Sequence, residues 1–198
     1  MSERPRLLVV APSAELYGSD RALLAALPAL VEAFVVTVAV PAAGPAVARA
    51  RALGAEVVVL PDYALRRRNL RPVGVLPWLA RCAAAVARLH RLHRRSAFDL
   101  VYSNTLAAAL GPVLRGFWRV PHVLHVHECP LRPRWLAPVL LRLARLSSDR
   151  VICNSWYTRA FLLRHQPLLE ERTVVVHNGL DLPQPGPPSA PSPSASLR

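Results

Sequence analysis

The sequence contains no lysine, so all 25 of its basic residues are arginine, and they stand against only 12 acidic residues. The resulting formal net charge of +13 favours an anionic partner, such as a phosphate, an acidic lipid headgroup or nucleic acid. The abundance of Ala, Leu and Val beside this uniform arginine also indicates a biased genome. The charge alone therefore does not choose among these partners.

Cysteine is scarce, and the three that occur, Cys82, Cys129 and Cys153, are widely spaced. They form neither a metal-binding pair nor a disulfide framework, which favours a reducing, cytoplasmic environment. The first six residues lack the features of a signal peptide. The apolar region 22–48 contains Glu32 and three prolines, so it predicts a helix, a strand and a second helix rather than a membrane span.

Two phosphate-binding glycine motifs are also missing. The sequence contains no Gly-x-Gly-x-x-Gly and no Gly-x-x-x-x-Gly-Lys-Ser/Thr. Neither a nicotinamide-dependent dehydrogenase nor a P-loop enzyme is therefore supported.

The pattern that is present is a regular alternation of apolar strands and amphipathic helices over residues 1–182. This alternation predicts an α/β fold, with a doubly wound, mostly parallel Rossmann-like sheet and helices on both faces. The predicted strands are 6–11, 34–40, 56–60, 99–103, 121–128, 150–154 and 173–177. The predicted helices are 19–33, 45–53, 73–95, 105–118, 134–146 and 156–165. Residues 61–72 are predicted to be a basic loop, and residues 183–198, rich in Pro and Ser, a disordered tail or linker.

The segment 121–128 organises this arrangement. Its apolar residues predict a buried central strand, and His127 and Glu128 follow directly at the strand's carboxyl end. Ligands of open parallel sheets bind beyond the carboxyl ends of the strands. Polar side chains, most of them small, occupy most of these strand ends. They suit a hydroxyl-rich substrate held by many hydrogen bonds. These residues are Ser19, Asp20, Asn104, Thr105, His127, Glu128, Asn154, Ser155, Asn178 and Asp181.

The segment from Tyr17 to Arg21 opens the first predicted helix. Gly18 would let a phosphate approach the backbone, and the free amides at a helix start favour an anion. An ordinary capped turn, with Ser19 and Asp20 as caps, is the alternative reading.

Three histidines of the central strand suggest a metal site only weakly. His125 and His127 share one face of the strand, whereas His122 points to the other. No carboxylate or cysteine at suitable spacing completes a tetrahedral set, so no metal is predicted. His127 is instead predicted to be a hydrogen-bonding or acid–base group, against the alternative of a structural histidine at a strand end.

Two arginine-rich segments could contact an anionic membrane surface: the one from Arg66 to Arg71, and the helix from Arg81 to Arg95. That helix alternates arginine with Ala, Val and Leu, as an interfacial helix does, although a solvated outer helix face would look the same. Nucleic-acid binding is not predicted, because no aromatic residues are interleaved with these arginines.

Five short motifs lie in order at successive strand ends: the segments 17–24 (YGSDRALL), 101–105 (VYSNT), 125–128 (HVHE), 151–155 (VICNS, with Thr158 following) and 176–181 (VHNGLD). Together they resemble the N-terminal domain of a GT-B glycosyltransferase of the retaining, family-four type. The resemblance covers residues 6–182.

This resemblance implies a role for each strand end. Gly18 and Ser19 would lie against the donor phosphates, and His127 would touch the donor sugar as the catalytic histidine. The remaining cleft and acceptor-side positions would be Tyr17, Asp20, Asn104, Thr105, Glu128, Asn154, Ser155 and Asn178. No metal or cofactor is implied beyond the nucleotide-sugar co-substrate, because helix-end and arginine charges would stabilise the leaving diphosphate.

The donor domain of such enzymes would follow residue 182, where the Pro/Ser-rich segment stands instead. The expectation is therefore a truncated or split glycosyltransferase, acting on an envelope glycan or a lipid-linked acceptor at the inner face of the membrane when a donor domain is present. The second hypothesis is a non-catalytic accessory module that pairs with a separate donor-domain chain.

Overall fold

The computed structural model describes residues 4–129 and 135–179. Asp181 and the predicted tail at 183–198 lie outside the described residues. The strands are β1 (Arg6–Val10), β2 (Val35–Val40), β3 (Glu56–Val59), β4 (Leu100–Asn104), β5 (His122–Val126), β6 (Arg150–Cys153) and β7 (Thr173–Val175). The helices are α1 (Gly18–Ala33), α2 (Pro45–Ala52), α3 (Pro72–Ser96), α4 (Leu110–Trp118), α5 (Leu136–Ser147) and α6 (Trp156–His165).

The strands form one sheet in the order β3-β2-β1-β4-β5-β6-β7, and every pair of neighbours is parallel. The order reverses between β1 and β4, which makes that gap the topological switch point. In doubly wound sheets the loops on either side of the switch part and leave a crevice at the carboxyl ends of the strands. The predicted fold class is confirmed.

Alternate residues of β1 show that helices cover both faces of the sheet. Leu7 and Val9 pack in one cluster with Leu23 and Leu27 of α1. Leu8 and Val10, which point the opposite way, pack with Leu89 of α3 and residues of α4. A third cluster joins α5 and α6 to β5 and β6.

The loop between β3 and α3 folds back over the carboxyl edge of the sheet. The buried Tyr63 hydroxyl donates to the carbonyl oxygens of Ala11 and Ala39 at 2.6 and 2.7 Å, at the ends of β1 and β2. The amide of Leu65 donates to the carbonyl of Ala107 at 3.1 Å. This segment was predicted to be loop, but it contains a short 3₁₀ helix at Arg67–Leu70.

The predicted start of the fourth helix was wrong. The prediction placed it at residue 105, whereas α4 begins at Leu110. Thr105 has a φ of 135°, far from helical values, and its hydroxyl accepts the amide of Ala107 at 3.0 Å. Residues 105–109 therefore form a loop at the mouth of the crevice.

Helices α3 and α4 leave an apolar groove of about 580 Å³ between them, lined by residues that include Leu79, Val86, Val113 and Phe117. Over the described residues, no helix combines the length and the apolar character needed to span a bilayer.

Candidate functional site

The first wall of the crevice is the start of α1. A Cβ placed on Gly18 would meet no other atom within 4 Å, so the backbone is open to a ligand at this point. The amide of Tyr17 donates to the Asp20 carboxylate at 3.2 Å, which fixes the turn into the helix. The first amides of α1 lie at the positive end of the helix dipole and have no intrahelical acceptor.

Asn104, at the end of β4, bridges the two sides of the switch point. It is fully buried, and its Nδ2 donates to the carbonyl oxygen of Ser19 at 3.0 Å. Because a carbonyl only accepts, this bond turns the Oδ1 of Asn104 towards His127, whose Nε2 lies 3.1 Å away.

That geometry selects the tautomer of His127. An amide oxygen only accepts, so the Nε2 of His127 carries the proton, and Nδ1 carries the lone pair. Nδ1 is buried and has no hydrogen-bond partner among the described residues. Burial also lowers the pKa of His127 to about 4, so the ring is neutral at neutral pH. Its buried Nδ1 is then a hydrogen-bond acceptor without a donor.

His125 lies beside His127, as the strand period predicted, with ring centroids 3.8 Å apart. Its Nδ1 is 2.6 Å from the Tyr102 hydroxyl. Burial, and then the neighbouring His127, lower the pKa of His125 to about 3, whereas burial raises the pKa of Tyr102. All three groups are therefore uncharged at neutral pH. Tyr102 was not among the predicted site residues. It lies two residues before Asn104 on β4, so its contact with His125 could be predicted only if β4 and β5 were already known to be neighbours.

Glu128 faces the loop after β4. Its Oε1 accepts the amide of Leu106 at 3.1 Å. Burial raises its pKa, while hydrogen bonds from the backbone of Leu106, His127 and Ala107 and from the side chain of Thr105 work in the opposite direction. Glu128 thus holds the β4–α4 loop in place and also lines a cavity of about 480 Å³.

Asn154 and Ser155 extend the site to β6. The Nδ2 of Asn154 donates to the carbonyl of His127 at 3.2 Å, and its Oδ1 accepts the Thr158 hydroxyl at 2.7 Å. Ser155 caps α6, with its Oγ accepting the Thr158 amide at 3.1 Å. A continuous hydrogen-bonded line, here called the tip line, therefore runs through Ser19, Asn104, His127, Asn154 and Thr158.

Tyr17 and Asn178 are among the predicted site residues that lie apart from the tip line. Tyr17 is 63% exposed, and Asn178 is exposed after the edge strand β7. No hydrogen bond among the described residues joins the side chain of either one to the tip line. The part of the chain that the structure describes also contains no group of three or more histidine, cysteine, aspartate or glutamate residues that could hold a metal ion.

Comparison with protein families gives a match over residues 18–184 to the model described as Glycosyltransferase Family 4. The chain belongs to glycosyltransferase family 4. Comparison of the sequence with curated proteins gives no match.

Solved structures show the fold of this family-4 chain. HepE of Anabaena, in complex with UDP-glucose, is similar with a TM-score of 0.68 and 24% identity, over 89% of this chain and 44% of that one. MurG of Acinetobacter baumannii matches with a TM-score of 0.58 and 14% identity, over 92% of this chain and 48% of that one. A glycosyltransferase of Rickettsia africae matches with a TM-score of 0.58 and 12% identity, over 91% and 44%.

The family-4 chain spans less than half the length of each of these three proteins. The likenesses establish the Rossmann-like GT-B fold, of which the chain forms an N-terminal domain. The predicted family and fold are confirmed, and the roles predicted for individual site residues stay predictions.

Proposed function

We propose that the chain is the acceptor-side domain of a glycosyltransferase. Together with a donor domain, it transfers a sugar from a nucleotide-sugar donor to an envelope glycan or a lipid-linked acceptor. Family membership supports sugar transfer, and the complexes of HepE with UDP and UDP-glucose support a nucleotide-sugar donor.

The tip line is the observation that carries this proposal. It joins the open start of α1, through Asn104, to the Nε2 of His127. The other ring nitrogen of His127, Nδ1, has no hydrogen-bond partner among the described residues. A nucleotide-sugar presents a diphosphate next to a ring of hydroxyl donors. The start of α1 suits the diphosphate, through the backbone at Gly18 and Ser19, and the Nδ1 acceptor of His127 suits a sugar hydroxyl.

The chemistry that follows is group transfer at the anomeric carbon. The bond from this carbon to the donor diphosphate breaks, and a bond to an acceptor oxygen forms. Where that oxygen belongs to a hydroxyl group, its proton passes to the departing diphosphate. The negative charge that develops on the diphosphate is stabilised by the first amides of α1. His127 has a lowered pKa of about 4, which makes it a weak base at neutral pH. Its role is therefore to hold the sugar by a hydrogen bond.

The other predicted site residues divide by their contacts. Asn104 and Asn154 orient His127 from its ring and from its backbone. Glu128 and Thr105 shape the loop on the acceptor side, and Ser155 fixes the start of α6. Tyr17, Asp20 and Asn178 are proposed as cleft residues on their position alone.

The test of the function is transfer by a chimaera. The chain is joined to the donor half of HepE, and transfer of labelled glucose from UDP-glucose to lipid and glycan extracts is measured. We expect transfer, and we expect His127→Ala to lower its rate about ten- to a hundredfold, as loss of one buried hydrogen bond to substrate would.

His165→Ala, at an exposed histidine of α6, should match the wild type. Equal rates for His127→Ala and wild type would contradict the role of His127, and no transfer by the wild-type chimaera would contradict the function.

Peripheral contact with an anionic membrane, at its inner face, is part of the proposal. Exposed apolar side chains of α3 and α4, namely Val73, Leu76, Leu79 and Phe117, flank the apolar groove. Arg81 and Arg88 donate to carbonyl oxygens of Asp62 and Val59. The exposed residues Arg91, Arg94 and Arg95 of α3 are the ones that suit lipid phosphates.

A further inference from the structure

A second feature of the carboxyl edge is the 480 Å³ cavity beside Glu128. Its volume falls in the range usual for small-molecule sites, about 300–1,000 Å³. Its lining includes two arginines and several leucines, among them Arg66, Arg67, Leu106, Leu136 and Leu140. The cavity therefore combines cationic donors with apolar walls.

The loop that carries the two arginines is held firmly. Tyr63 anchors it to the ends of β1 and β2, and the amide of Leu65 bonds the carbonyl of Ala107 in the β4–α4 loop. The buried Asn69 donates to the carbonyl of Ala64 at 2.9 Å. Arg66 and Arg67 thus start from a fixed backbone.

The positive charge beside the cavity is not balanced within the described residues. Asp62 is bound by Arg68, whose Nη2 lies 2.8 Å from the carboxylate, and the Nε of Arg66 is 3.6 Å from the same carboxylate. That Nε has no hydrogen-bond partner in the described part of the chain, and Arg67 is exposed with no ion pair there. Two arginines, Arg66 and Arg68, therefore share the one carboxylate of Asp62.

Among the described residues, the carboxylate that lines the cavity is that of Glu128, and it is already engaged. Glu128 accepts the amide of Leu106, so part of its charge is balanced by the backbone. An anion at the arginine end would meet the guanidinium donors of Arg66 and Arg67, which form strong charge-assisted hydrogen bonds with phosphate oxygens.

We infer that this cavity is the acceptor subsite for a phosphate or diphosphate group attached to an aliphatic chain. The arginines take the anion, and the leucines take the first part of the chain. The inference rests on the proposed function and narrows its acceptor to an anionic lipid. The site differs from the start of α1, which the donor diphosphate is proposed to occupy.

Calorimetric titration of the whole chain, in about 0.15 M salt to screen diffuse attraction, tests this. The probes are farnesyl diphosphate, which has both parts of the ligand, and inorganic pyrophosphate, which lacks the chain. The test variant is Arg66→Gln/Arg67→Gln. The matched control, Arg49→Gln/Arg51→Gln, removes the same charge from exposed positions at the end of α2.

We expect farnesyl diphosphate to bind the wild type and the Arg49/Arg51 control alike, and to bind the test variant at least tenfold more weakly. Pyrophosphate should bind the wild type at least tenfold more weakly than farnesyl diphosphate. Should the double variant not fold, Arg67→Gln alone, at an exposed position, gives the same comparison.

Three results would overturn the inference: no binding of farnesyl diphosphate to the wild type, equal binding by the test variant, or equal affinity for pyrophosphate. The last result would indicate a site for free phosphates rather than for a lipid. Because the titration uses no sugar donor, its outcome is separate from that of the chimaera assay, and either proposal can fail while the other stands.

Discussion

Asn104 has two partners that only a side chain with both a donor and an acceptor can satisfy together. Its amide donates to a backbone carbonyl and accepts from an imidazole N–H. An aspartate of the same shape has only acceptors. Its carboxylate oxygen would repel the carbonyl oxygen of Ser19, and its negative charge would favour the protonated form of His127. Asn104 thus controls both the position and the charge of that ring.

The variant Asn104→Asp should raise the pKa of His127 from about 4, because a carboxylate beside Nε2 stabilises the imidazolium. Nitrogen-15 NMR of the histidine rings, titrated with acid, measures this and also reports the tautomer. Asn69→Asp removes a comparable buried amide elsewhere and should leave His127 unchanged. An unshifted His127 in Asn104→Asp would contradict the orientation assigned to Asn104.

The two neighbouring histidines should make stability depend on pH. In the unfolded chain they titrate near a pKa of about 6.5, whereas in the fold the pKa values are about 3 for His125 and about 4 for His127. The unfolded state therefore binds more protons between these values, and the free energy of unfolding falls as pH drops below about 6.5.

Urea unfolding at pH 7.5, 6.5 and 5.5 measures this dependence. His122, whose pKa is also lowered by burial, acts in the same direction, and Glu128, whose pKa is raised, acts in the opposite one. The double variant His125→Gln/His127→Gln isolates the pair and should show a smaller loss of stability. An unchanged pH dependence in that variant would contradict the assignment.

At the scale of elements, helix α4 packs against the strands through a glycine. A Cβ on Gly111 would lie 2.7 Å from the Nε2 of His122 and would collide with Ser103. These two side chains share a buried hydrogen bond of 2.9 Å. Only a residue without a side chain lets α4 approach β4 and β5 this closely.

The pair Gly111→Ala and Gly116→Ala tests this packing on one helix. Gly111→Ala should lower the free energy of unfolding by about 1–3 kcal/mol, because the added methyl overpacks the site. Gly116 has open space around it, so Gly116→Ala should raise the free energy by about 0.5–1 kcal/mol through helix propensity. Chemical denaturation of both variants decides the matter, and equal effects would refute the close contact.

Local sequence predicted most elements because each apolar run has a clear strand or helix period. The predicted strand over 99–103, with Asn104 at its carboxyl end, and the shared face of His125 and His127 follow from that period alone. The start of α4 could not be predicted in this way. Residues 105–109 have a helical pattern in the sequence, but Glu128, which is more than 20 residues away along the chain, holds their backbone in a loop. Likewise, the partners of Asn104 lie on α1 and β5, so the tautomer of His127 depends on strand order that no local pattern contains.

At the scale of the whole molecule, the apolar groove between α3 and α4 and the outer arginines of α3 should together bind membranes. The chain should bind phosphatidylglycerol vesicles at low salt, and less at high salt because added ions screen the attraction. Each arginine near an anionic surface contributes about 1 kcal/mol, so replacing Arg91, Arg94 and Arg95 by Gln should weaken binding by more than tenfold.

Vesicle co-sedimentation measures this, with neutral phosphatidylcholine vesicles as the control. No binding to anionic vesicles at low salt would exclude the membrane contact.

The tip line also has a consequence for the cost of binding. Strand ends and the first turns of helices commonly fray, but here the ends of β4, β5 and β6 and the starts of α1 and α6 are tied to one another by side chains. An incoming ligand meets a surface that already has its final shape. Little of the interaction free energy is then spent on ordering this half of the binding site, and most of it remains for affinity and for distinguishing one acceptor from another.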